Sequence, residues 1–156
     1  MKLSCNGYIL YFLNKKDYSR QVLYDKAITK GYPEPEVKEA IDALVAKNFI
    51  NDHRYATQLV EFYSRTKGNH FIQQKLKQKL VPKEIIEELI TGNQEGEDEY
   101  QNLIPFIKSK FRLKTIEDID FKMYQRVYRL IATRGYSNPT KIIDALKEEI
   151  KNNEHI

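Results

Sequence analysis

The stretch SRQVLYDKAITKGYPEPEVKEAI, residues 19–41, decides the fold, because the chain uses its pattern a second time as GNHFIQQKLKQKLVPKEIIEELI at residues 68–90. In each copy, apolar residues recur at the spacing of one helix face. A proline then separates two such faces and suits the first turn of the next helix. The sequence therefore predicts one helix–turn–helix–proline–helix unit that is used twice. A shift of 49 residues aligns the copies at six pairs, which are Ser19 with Gly68, Leu23 with Ile72, Ala27 with Leu76, Pro33 with Pro82, Val37 with Ile86, and Ile41 with Ile90.

Amphipathic patterns of the same kind cover nearly the whole chain. No segment alternates apolar and polar residues for long enough to predict a strand. Tyr136-Ser137 repeats Tyr18-Ser19 and marks a partial third copy. The predicted fold class is all-α, with about nine helices in three three-helix units at residues 1–50, 51–93 and 97–156. We expect the helices at about 8–14, 19–30, 34–47, 53–66, 70–80, from Pro82 to Gly92, at about 98–111 and 119–133, and from Asn138 onward.

Three-helix units of this size bury little apolar surface on their own. When such units stack in tandem they complete a shared core, so we expect an elongated, curved body. Bodies of this kind commonly serve as binding surfaces. The polar segment 92–97, which contains two glycines, is the expected flexible joint.

The composition is typical of a globular, intracellular protein. The 156 residues include 41% hydrophobic and 12% aromatic residues, which is enough to offset the entropy of ordering the chain. The single cysteine, Cys5, excludes an internal disulfide, and we interpret it as a structural or incidental thiol near a terminus that we expect to fray. No apolar run reaches the length of a membrane span, and no signal peptide is recognisable. We therefore expect a cytoplasmic monomer without membrane contact.

The charges alternate in blocks along the chain. Between His53 and Lys83 there are seven basic residues and one acidic residue, a net charge of +6. Between Glu84 and Tyr100 there are seven acidic residues and no basic residue, a net charge of −7. Between Lys108 and Arg134 there are eight basic and three acidic residues, a net charge of +5. Two basic blocks flanking an acidic block indicate a polyanionic partner or a charged protein surface, unless they are only solvated helix faces.

The residue types that catalysis and cofactors require do not converge. His53, His70 and His155 lack the i, i+4 spacing of a helical metal site. Segment 92–96 lacks the lysine and the serine or threonine of a phosphate-binding loop. An acidic run without calcium-loop spacing is interpreted as a solvated linker, and it comprises Glu95, Glu97, Asp98 and Glu99. We therefore predict no catalytic, cofactor-binding or metal-binding residues, and no enzymatic activity.

Two short polar motifs lie at predicted helix starts. In Asp17-Tyr18-Ser19-Arg20, either the aspartate or the serine can accept backbone N–H groups of the following helix. In Asn48-Phe49-Ile50-Asn51-Asp52-His53-Arg54-Tyr55-Ala56, either Asn51 or Asp52 can do the same, while the apolar members pack between units. We favour a structural interpretation of both motifs.

Two basic constellations are candidates for partner contact. In the first, Gly68 permits a tight turn, and Asn69 opens a helix whose first amides attract anions. The second lies on the predicted eighth helix, where Lys122 and three arginines stand beside Tyr124 and Tyr128. Each fits phosphates or an acidic partner about as well as it fits a solvated helix face. The contact candidates are Arg65, Lys67, Lys75, Lys79, Arg126, Arg129 and Arg134.

Four landmarks are spread along the chain in a recognisable order: segments 17–20 and 49–56, Lys67-Gly68, and Arg134-Gly135-Tyr136-Ser137. In order and spacing they resemble the RecX family of bacterial recombination regulators, from about residue 8 to residue 150. The resemblance implies a tandem of three-helix units that binds the RecA recombinase filament on single-stranded DNA. It also implies modulation, usually inhibition, of filament growth, ATP hydrolysis and strand exchange. Members of the family are cytoplasmic and carry no cofactor of their own.

Two other functions remain open at this point. A direct DNA-binding protein would use its helix–turn–helix-like units, and Gln73, Gln74 and Gln78 on the predicted fifth helix are residues that can read base edges. Its affinity for naked DNA would fall steeply with salt. A generic helical scaffold would bind neither the filament nor DNA.

Overall fold

The structure, a computed structural model, describes residues 3–93 and 97–154, with the backbone alone over 97–102. Within these ranges there is no β-strand, so the predicted all-α class is confirmed. Predicted and observed helix bounds differ by a few residues at most. The helices are α1 (Cys5–Leu13), α2 (Arg20–Lys30), α3 (Glu34–Ala46), α4 (Asp52–Ser64), α5 (Asn69–Gln78), α6 (Lys83–Gly92), α7 (Glu97–Phe111), a 3-10 helix (Ile116–Asp118), α8 (Phe121–Thr133) and α9 (Pro139–Glu154).

The predicted repeat is present in the backbone. Helices α2 and α5 begin 49 residues apart, and so do α3 and α6. The hydrogen bonds around the turns correspond as well. The amide of Tyr32 donates to the carbonyl of Ala27 at 3.2 Å, and the amide of Val81 donates to the carbonyl of Leu76 at 3.1 Å. The tandem helical repeat is therefore confirmed at the level of individual hydrogen bonds.

One position of the repeat differs in chemistry but not in conformation. Gly31 ends α2 with φ +109°, in the left-handed region that glycine adopts freely. The equivalent position after α5 is Leu80, with φ +59°. Leu80 is expected from the sequence to continue the buried stripe of Ile72 and Leu76, but it is 43% exposed. That expectation is wrong, because the left-handed turn takes Leu80 off the helix before the stripe reaches it.

The N-terminal helix also differs from its prediction. It begins at Cys5 rather than near residue 8, because the Ser4 side chain accepts the amide of Gly7 and caps it. Cys5 is 1% exposed and belongs to a hydrophobic core together with Ile9. The expected frayed position of Cys5 is therefore wrong, and of the two roles that the sequence left open the structure shows the structural one. Burial, and secondarily the Glu36 carboxylate, raises the pKa of the Cys5 thiol.

Close contacts group the chain into two compact units, unit 1 (Met1–Val60 with Gln73–Gly92) and unit 2 (Glu61–Ile72 with Asn93–Ile156). The main core of unit 1 joins α1, α2 and α3. The main core of unit 2 joins α7, α8 and α9. The predicted boundaries at 1–50, 51–93 and 97–156 come from repetition in the sequence and stay a prediction. The most completely buried side chains of the two cores, all below 2% exposed, include Ile9, Leu23, Ile41, Leu44, Ile107, Ile131, Ile142, Ile143, Leu146 and Ile150.

Some sequence expectations fall outside what the structure describes. The core of the predicted flexible joint, residues 94–96, lies outside, as do His155 and the side chains of the acidic run from Glu95 to Glu99. Over the described part of the chain, no helix is both long enough and apolar enough to cross a bilayer.

Candidate partner-binding surfaces

The two polar motifs at the helix starts hold each other together within unit 1. The Arg54 guanidinium donates to the Asp17 carboxylate at 3.2 Å and to the carbonyls of Asn48 and Phe49 at 3.0 and 3.2 Å. The Asp52 carboxylate accepts the backbone amide of Arg20 at 2.7 Å. Each motif thus supplies a carboxylate to the other, which supports the structural interpretation of both.

The caps of α2 and α4 are also settled by these contacts. Ser19 caps α2, since its hydroxyl accepts the amide of Val22 at 3.3 Å. Asn51 caps α4, since its side-chain oxygen accepts the amide of Arg54 at 2.9 Å. Asp17 and Asp52, the alternative caps, are used instead for the cross-motif contacts described above. These polar groups therefore take part in contacts that stabilise the fold.

Lys75 and Lys79, two of the predicted contact residues, lie in unit 1 at and just beyond the end of α5. The amide of Lys79 donates to the carbonyl of Lys75 at 3.0 Å, so the expected four-residue spacing is present. The carbonyl of Lys79 accepts the buried Ser19 hydroxyl at 2.6 Å, which fixes the backbone at this point. Both lysine side chains are half-buried, whereas Lys77 between them is exposed.

Sequence reasoning missed a groove of about 680 Å³ in unit 1. Its floor is apolar and includes Leu80 and Ile86, and Lys77 lies on its rim. Two further rim cations are already paired, Arg20 with Asp42 and Lys83 with Glu87 at 3.8 Å. Leu80, which has a positive φ, lines this groove, and its equivalence to Gly31 in the repeat is a sequence signal that could have drawn attention to this turn. The lining comprises Arg20, Gln21, Asp52, Gln73, Lys77, Leu80, Val81, Pro82, Lys83, Ile86 and Glu87.

Within unit 2, two glycines allow two backbone segments to touch. The amide of Gly68 donates to the carbonyl of Arg134 at 2.9 Å, and the amide of His70 donates to the carbonyl of Gly135 at 3.0 Å. A Cβ atom on Gly68 would lie 2.3 Å from the Tyr136 Cα atom, and one on Gly135 would lie 2.4 Å from the Phe71 amide nitrogen. At both positions, backbone atoms of the facing segment leave no room for a side chain.

This contact corrects two expectations about the start of α5. Among the described glycines, only Gly31 and Gly135 have a positive φ, so Gly68 is not there for an unusual turn. It is a glycine because the Tyr136 backbone occupies the place of its side chain. The amides of Gly68 and His70 already donate to carbonyls, so these first amides of the helix are not free to bind an anion.

The same contact brings two predicted residues, Lys67 and Arg134, side by side. Burial, together with the neighbouring Arg134 charge, lowers the pKa of Lys67. The Lys67 ammonium lies 4.9 Å from the centre of the Phe71 ring, and the Arg134 guanidinium lies 4.6 Å from that of Phe106. The Lys110 ammonium is 5.9 Å from the same Phe106 ring. We call these five residues the basic cluster, and the predicted contact Arg65 lies exposed two residues before Lys67 in the chain.

A second surface of unit 2 lies along α8. The rings of Tyr124 and Tyr128 stack with 6.3 Å between their centres and 27° between their planes. They line a shallow groove of about 490 Å³ together with Arg129 and Phe121, whose side chain is 74% exposed. The predicted contact Arg126 is also exposed, with its guanidinium 5.0 Å from the centre of the Phe111 ring. We call the groove and its cations the α8 surface, which comprises Phe121, Lys122, Tyr124, Gln125, Arg126, Tyr128, Arg129 and Ala132.

A family model described as RecX, second three-helix domain, matches residues 51–90. The regulatory protein RecX of Actinobacillus pleuropneumoniae serotype 5b is 33% identical over 132 residues, which cover 85% of this chain and 84% of that protein. The chain belongs to the RecX family. The regulatory protein RecX of Vibrio campbellii is 32% identical over 136 residues, with 86% of this chain and 85% of that protein covered.

Solved RecX structures share the fold. The crystal structure of RecX from Lactobacillus salivarius matches with a TM-score of 0.76 over 94% of both chains, at 20% sequence identity. A second RecX crystal structure matches with a TM-score of 0.73 over 92% of this chain and 71% of that one, at 22% identity. The predicted recognition is thus confirmed, and the function of this chain is regulatory, as the RecX name states.

In this RecX chain the predicted contact residues do not form one continuous site within either unit. Lys75 and Lys79 lie one helical turn apart in unit 1. In unit 2, Lys67 lies beside Arg134 in the basic cluster, and Arg126 and Arg129 belong to the α8 surface. The described side chains include no group of three or more histidine, cysteine, aspartate or glutamate residues arranged to hold a metal ion. Sequence reasoning missed Phe106 and Phe121, although a phenylalanine outside the buried stripe of an amphipathic helix is a signal that could have found both. The remaining five contact candidates in unit 2 are Arg65, Lys67, Arg126, Arg129 and Arg134.

Proposed function

We propose that this chain binds a RecA-type recombinase filament on single-stranded DNA and lowers its ATP hydrolysis, its extension and its strand exchange. The observation that carries the proposal is the membership of a family of regulatory proteins, shown by 33% identity over most of both chains. The resemblance of its landmark motifs to recombination regulators supplies the partner. A cytoplasmic monomer without an enzymatic activity is part of the same proposal.

The positive charges of the chain support a binding role. A recombinase filament on DNA presents phosphates, and cationic side chains that replace phosphate counterions gain affinity as those ions are released. In the basic cluster, burial and secondarily the neighbouring Arg134 charge lower the pKa of Lys67, and an anion bound beside the two cations would stabilise their charged forms. Arg65, Lys75, Lys79, Arg126 and Arg129 are proposed as further contacts.

Inhibition requires more than binding. A ligand shifts an equilibrium only by the difference between its affinities for the two states. We propose that the chain binds the filament state that cannot extend or complete its ATP cycle more tightly than the competent state. Binding equally to both states would leave the ATPase rate unchanged.

The test is the DNA-dependent ATPase of a RecA-type recombinase on single-stranded DNA, with increasing amounts of this chain. The wild-type chain should lower the rate to a plateau, and the variant Arg65→Glu with Lys75→Glu should need a higher concentration to reach it. Lys38→Gln, an exposed lysine on α3 outside the proposed contacts, is the matched control and should behave like the wild type. An ATPase rate that stays constant at saturating chain refutes the proposal.

A further inference from the structure

The α8 surface exposes aromatic rings that do not contribute to the core of unit 2. Phe121 is 74% exposed and Tyr128 is 41% exposed, although both lie on a helix whose other face is fully buried at Val127 and Ile131. Large exposed apolar side chains that lie next to one another mark a surface that another molecule covers. The groove of about 490 Å³ lies between these rings and shows where that molecule would lie.

The charges around the rings are mainly positive. Helix α8 carries the cations Lys122, Arg126 and Arg129 and has no acidic residue over its 13 positions. The ammonium of Lys147 adds a fourth cation, 5.5 Å from the centre of the Tyr124 ring. The nearest acid in sequence, Asp120, caps the helix by accepting the amide of Met123 at 2.8 Å, and it sets one negative charge against these four cations. The surface therefore complements a polyanion.

We infer that the α8 surface binds single-stranded nucleic acid directly, with bases stacked on Phe121 and Tyr128 and phosphates beside Arg126 and Arg129. Proteins that bind single strands without sequence preference combine such rings with a cationic groove, because every base has a π-face. A duplex hides its base faces, so it would leave the rings uncovered. An acidic protein surface would pair with the arginines, but a single strand presents a planar base beside every phosphate and so matches rings and cations that alternate along one helix. The inference deepens the proposed function by assigning the surface that meets the DNA, and it rests on that function for the filament.

The first test uses the absence of tryptophan from the chain. In the variant Phe121→Trp the only indole lies on the α8 surface, and stacking with bases should quench its fluorescence as oligo(dT) is added. Phe62→Trp is the matched control, since Phe62 is 63% exposed but lies outside this surface. Quenching that saturates in Phe121→Trp and is absent in Phe62→Trp supports the inference. Equal quenching in both, or none in Phe121→Trp while a labelled oligo(dT) shows binding by anisotropy, overturns it.

The second test measures the affinity of the full chain for labelled oligo(dT) without recombinase. The double variant Phe121→Ala with Tyr128→Ala should bind about 30-fold more weakly or worse, taking the lower end of the stacking contribution for each ring. Tyr128→Phe keeps the ring and should stay within about twofold of the wild type. Arg129→Gln should reduce the slope of log affinity against log salt by about 0.7, the value for one phosphate contact on a single strand. An unchanged affinity of the double variant, or equal binding of a duplex of the same length, overturns the inference.

The two proposals can fail separately. If the double variant still lowers the recombinase ATPase and binds oligo(dT) like the wild type, the assignment of the α8 surface is wrong and the proposed function stands. If oligo(dT) binds at the α8 surface but the ATPase does not change, the proposed function is wrong and the nucleic-acid site stands.

Discussion

Replacing Gly68 with alanine should destabilise unit 2 strongly, because the added methyl group has no room. Its Cβ atom would lie 2.3 Å from the Cα atom of Tyr136 and 2.4 Å from both the Tyr136 amide nitrogen and the Gly135 carbonyl oxygen. All three are backbone atoms, so no side chain can rotate away. Ordinary contact begins at 3.4 Å, so the two segments must separate by about 1 Å.

That separation sets the expected magnitude. It stretches the two hydrogen bonds that join the segments, Gly68 to Arg134 at 2.9 Å and His70 to Gly135 at 3.0 Å, beyond hydrogen-bonding distance. Each is worth about 1 kcal/mol net. Overpacking of a close contact adds about 1–3 kcal/mol. We expect Gly68→Ala to lower the free energy of unfolding by about 3–5 kcal/mol, a large part of the roughly 5–15 kcal/mol typical of a whole domain.

Urea unfolding followed by far-UV circular dichroism measures this loss. With a slope of about 2 kcal/mol per molar urea, the midpoint should fall by about 2 M. Gly92→Ala is the matched control, because a Cβ atom there meets nothing within 4 Å, and it should be neutral or stabilising by about 0.5–1 kcal/mol. Gly31→Ala has the same open space but a φ of +109°, so it should cost about 1–2 kcal/mol.

The order of the three variants is the decisive result. Gly68→Ala should be the least stable, Gly31→Ala intermediate, and Gly92→Ala at least as stable as the wild type. A Gly68→Ala midpoint within about 0.5 kcal/mol of the wild type would refute the close backbone contact, since surface changes of that size need no special mechanism.

Three further predictions concern other positions. Leu80→Gly should leave the urea midpoint within the equivalent of about 1 kcal/mol of the wild type, because relief of the left-handed φ of +59° is offset by the greater freedom of glycine in the unfolded chain; a midpoint lower by the equivalent of more than about 2 kcal/mol would contradict this. Arg54→Met should cost about 2 kcal/mol in the same assay, because it removes the donor to Asp17 and to two backbone carbonyls, and Arg54→Lys should recover only part of it. The thiol of Cys5 should react slowly with a disulfide reagent in native conditions and rapidly in urea, because it is 1% exposed and burial raises its pKa; fast native reaction would show that α1 does not cover it.

The helices and their repetition could be predicted because they depend on neighbours in the chain. Apolar spacing, proline at the first turn and glycine after the last turn act within a few residues, and they place α2, α3, α5 and α6 within a few residues of their observed bounds. The shift of 49 residues then needs only a comparison of the chain with itself. Local signals of this kind are strongest where a side chain's environment is set by its own helix.

The failures lie where the environment is set from a distance. Gly68 and Gly135 are 67 residues apart, and each is needed because of backbone that the other segment supplies. No local sequence pattern distinguishes Gly68 from a glycine that is needed for a turn. The prediction for Leu80 is wrong for a related reason. As a leucine it continues the apolar stripe of α5, but its backbone has already left the helix in a left-handed turn. The predicted start of α1 excludes Cys5 because the first turn of this helix lacks a strong apolar pattern, although Ser4 is a suitable cap in the sequence.

The candidate surfaces could be predicted in their charges and in the tyrosines of α8, but not in their phenylalanines. Lysine and arginine runs are visible in composition, so the seven contact candidates could be named from the sequence, and Tyr124 and Tyr128 stand beside them. The phenylalanines are harder to place, because an aromatic residue in an amphipathic helix is usually assigned to the core. Phe106 and Phe121 become visible as surface features only after burial assigns Ile107 and Val127 to the inner faces of the same helices.

Net charge is therefore a poor measure of what this chain offers to a partner. Arg54 and Arg20 are cations in the count, yet their charges are satisfied by Asp17 and Asp42 within the fold. Lys67 and Arg134 are also held by the fold, but no carboxylate is paired with either among the described residues, and their mutual repulsion remains. An anion placed between two such cations gains from both and removes their repulsion. A modest overall charge of +4 is thus compatible with strong local attraction for a polyanion, because the folded chain pairs Arg54 and Arg20 with carboxylates and pairs neither Lys67 nor Arg134 with one among the described residues.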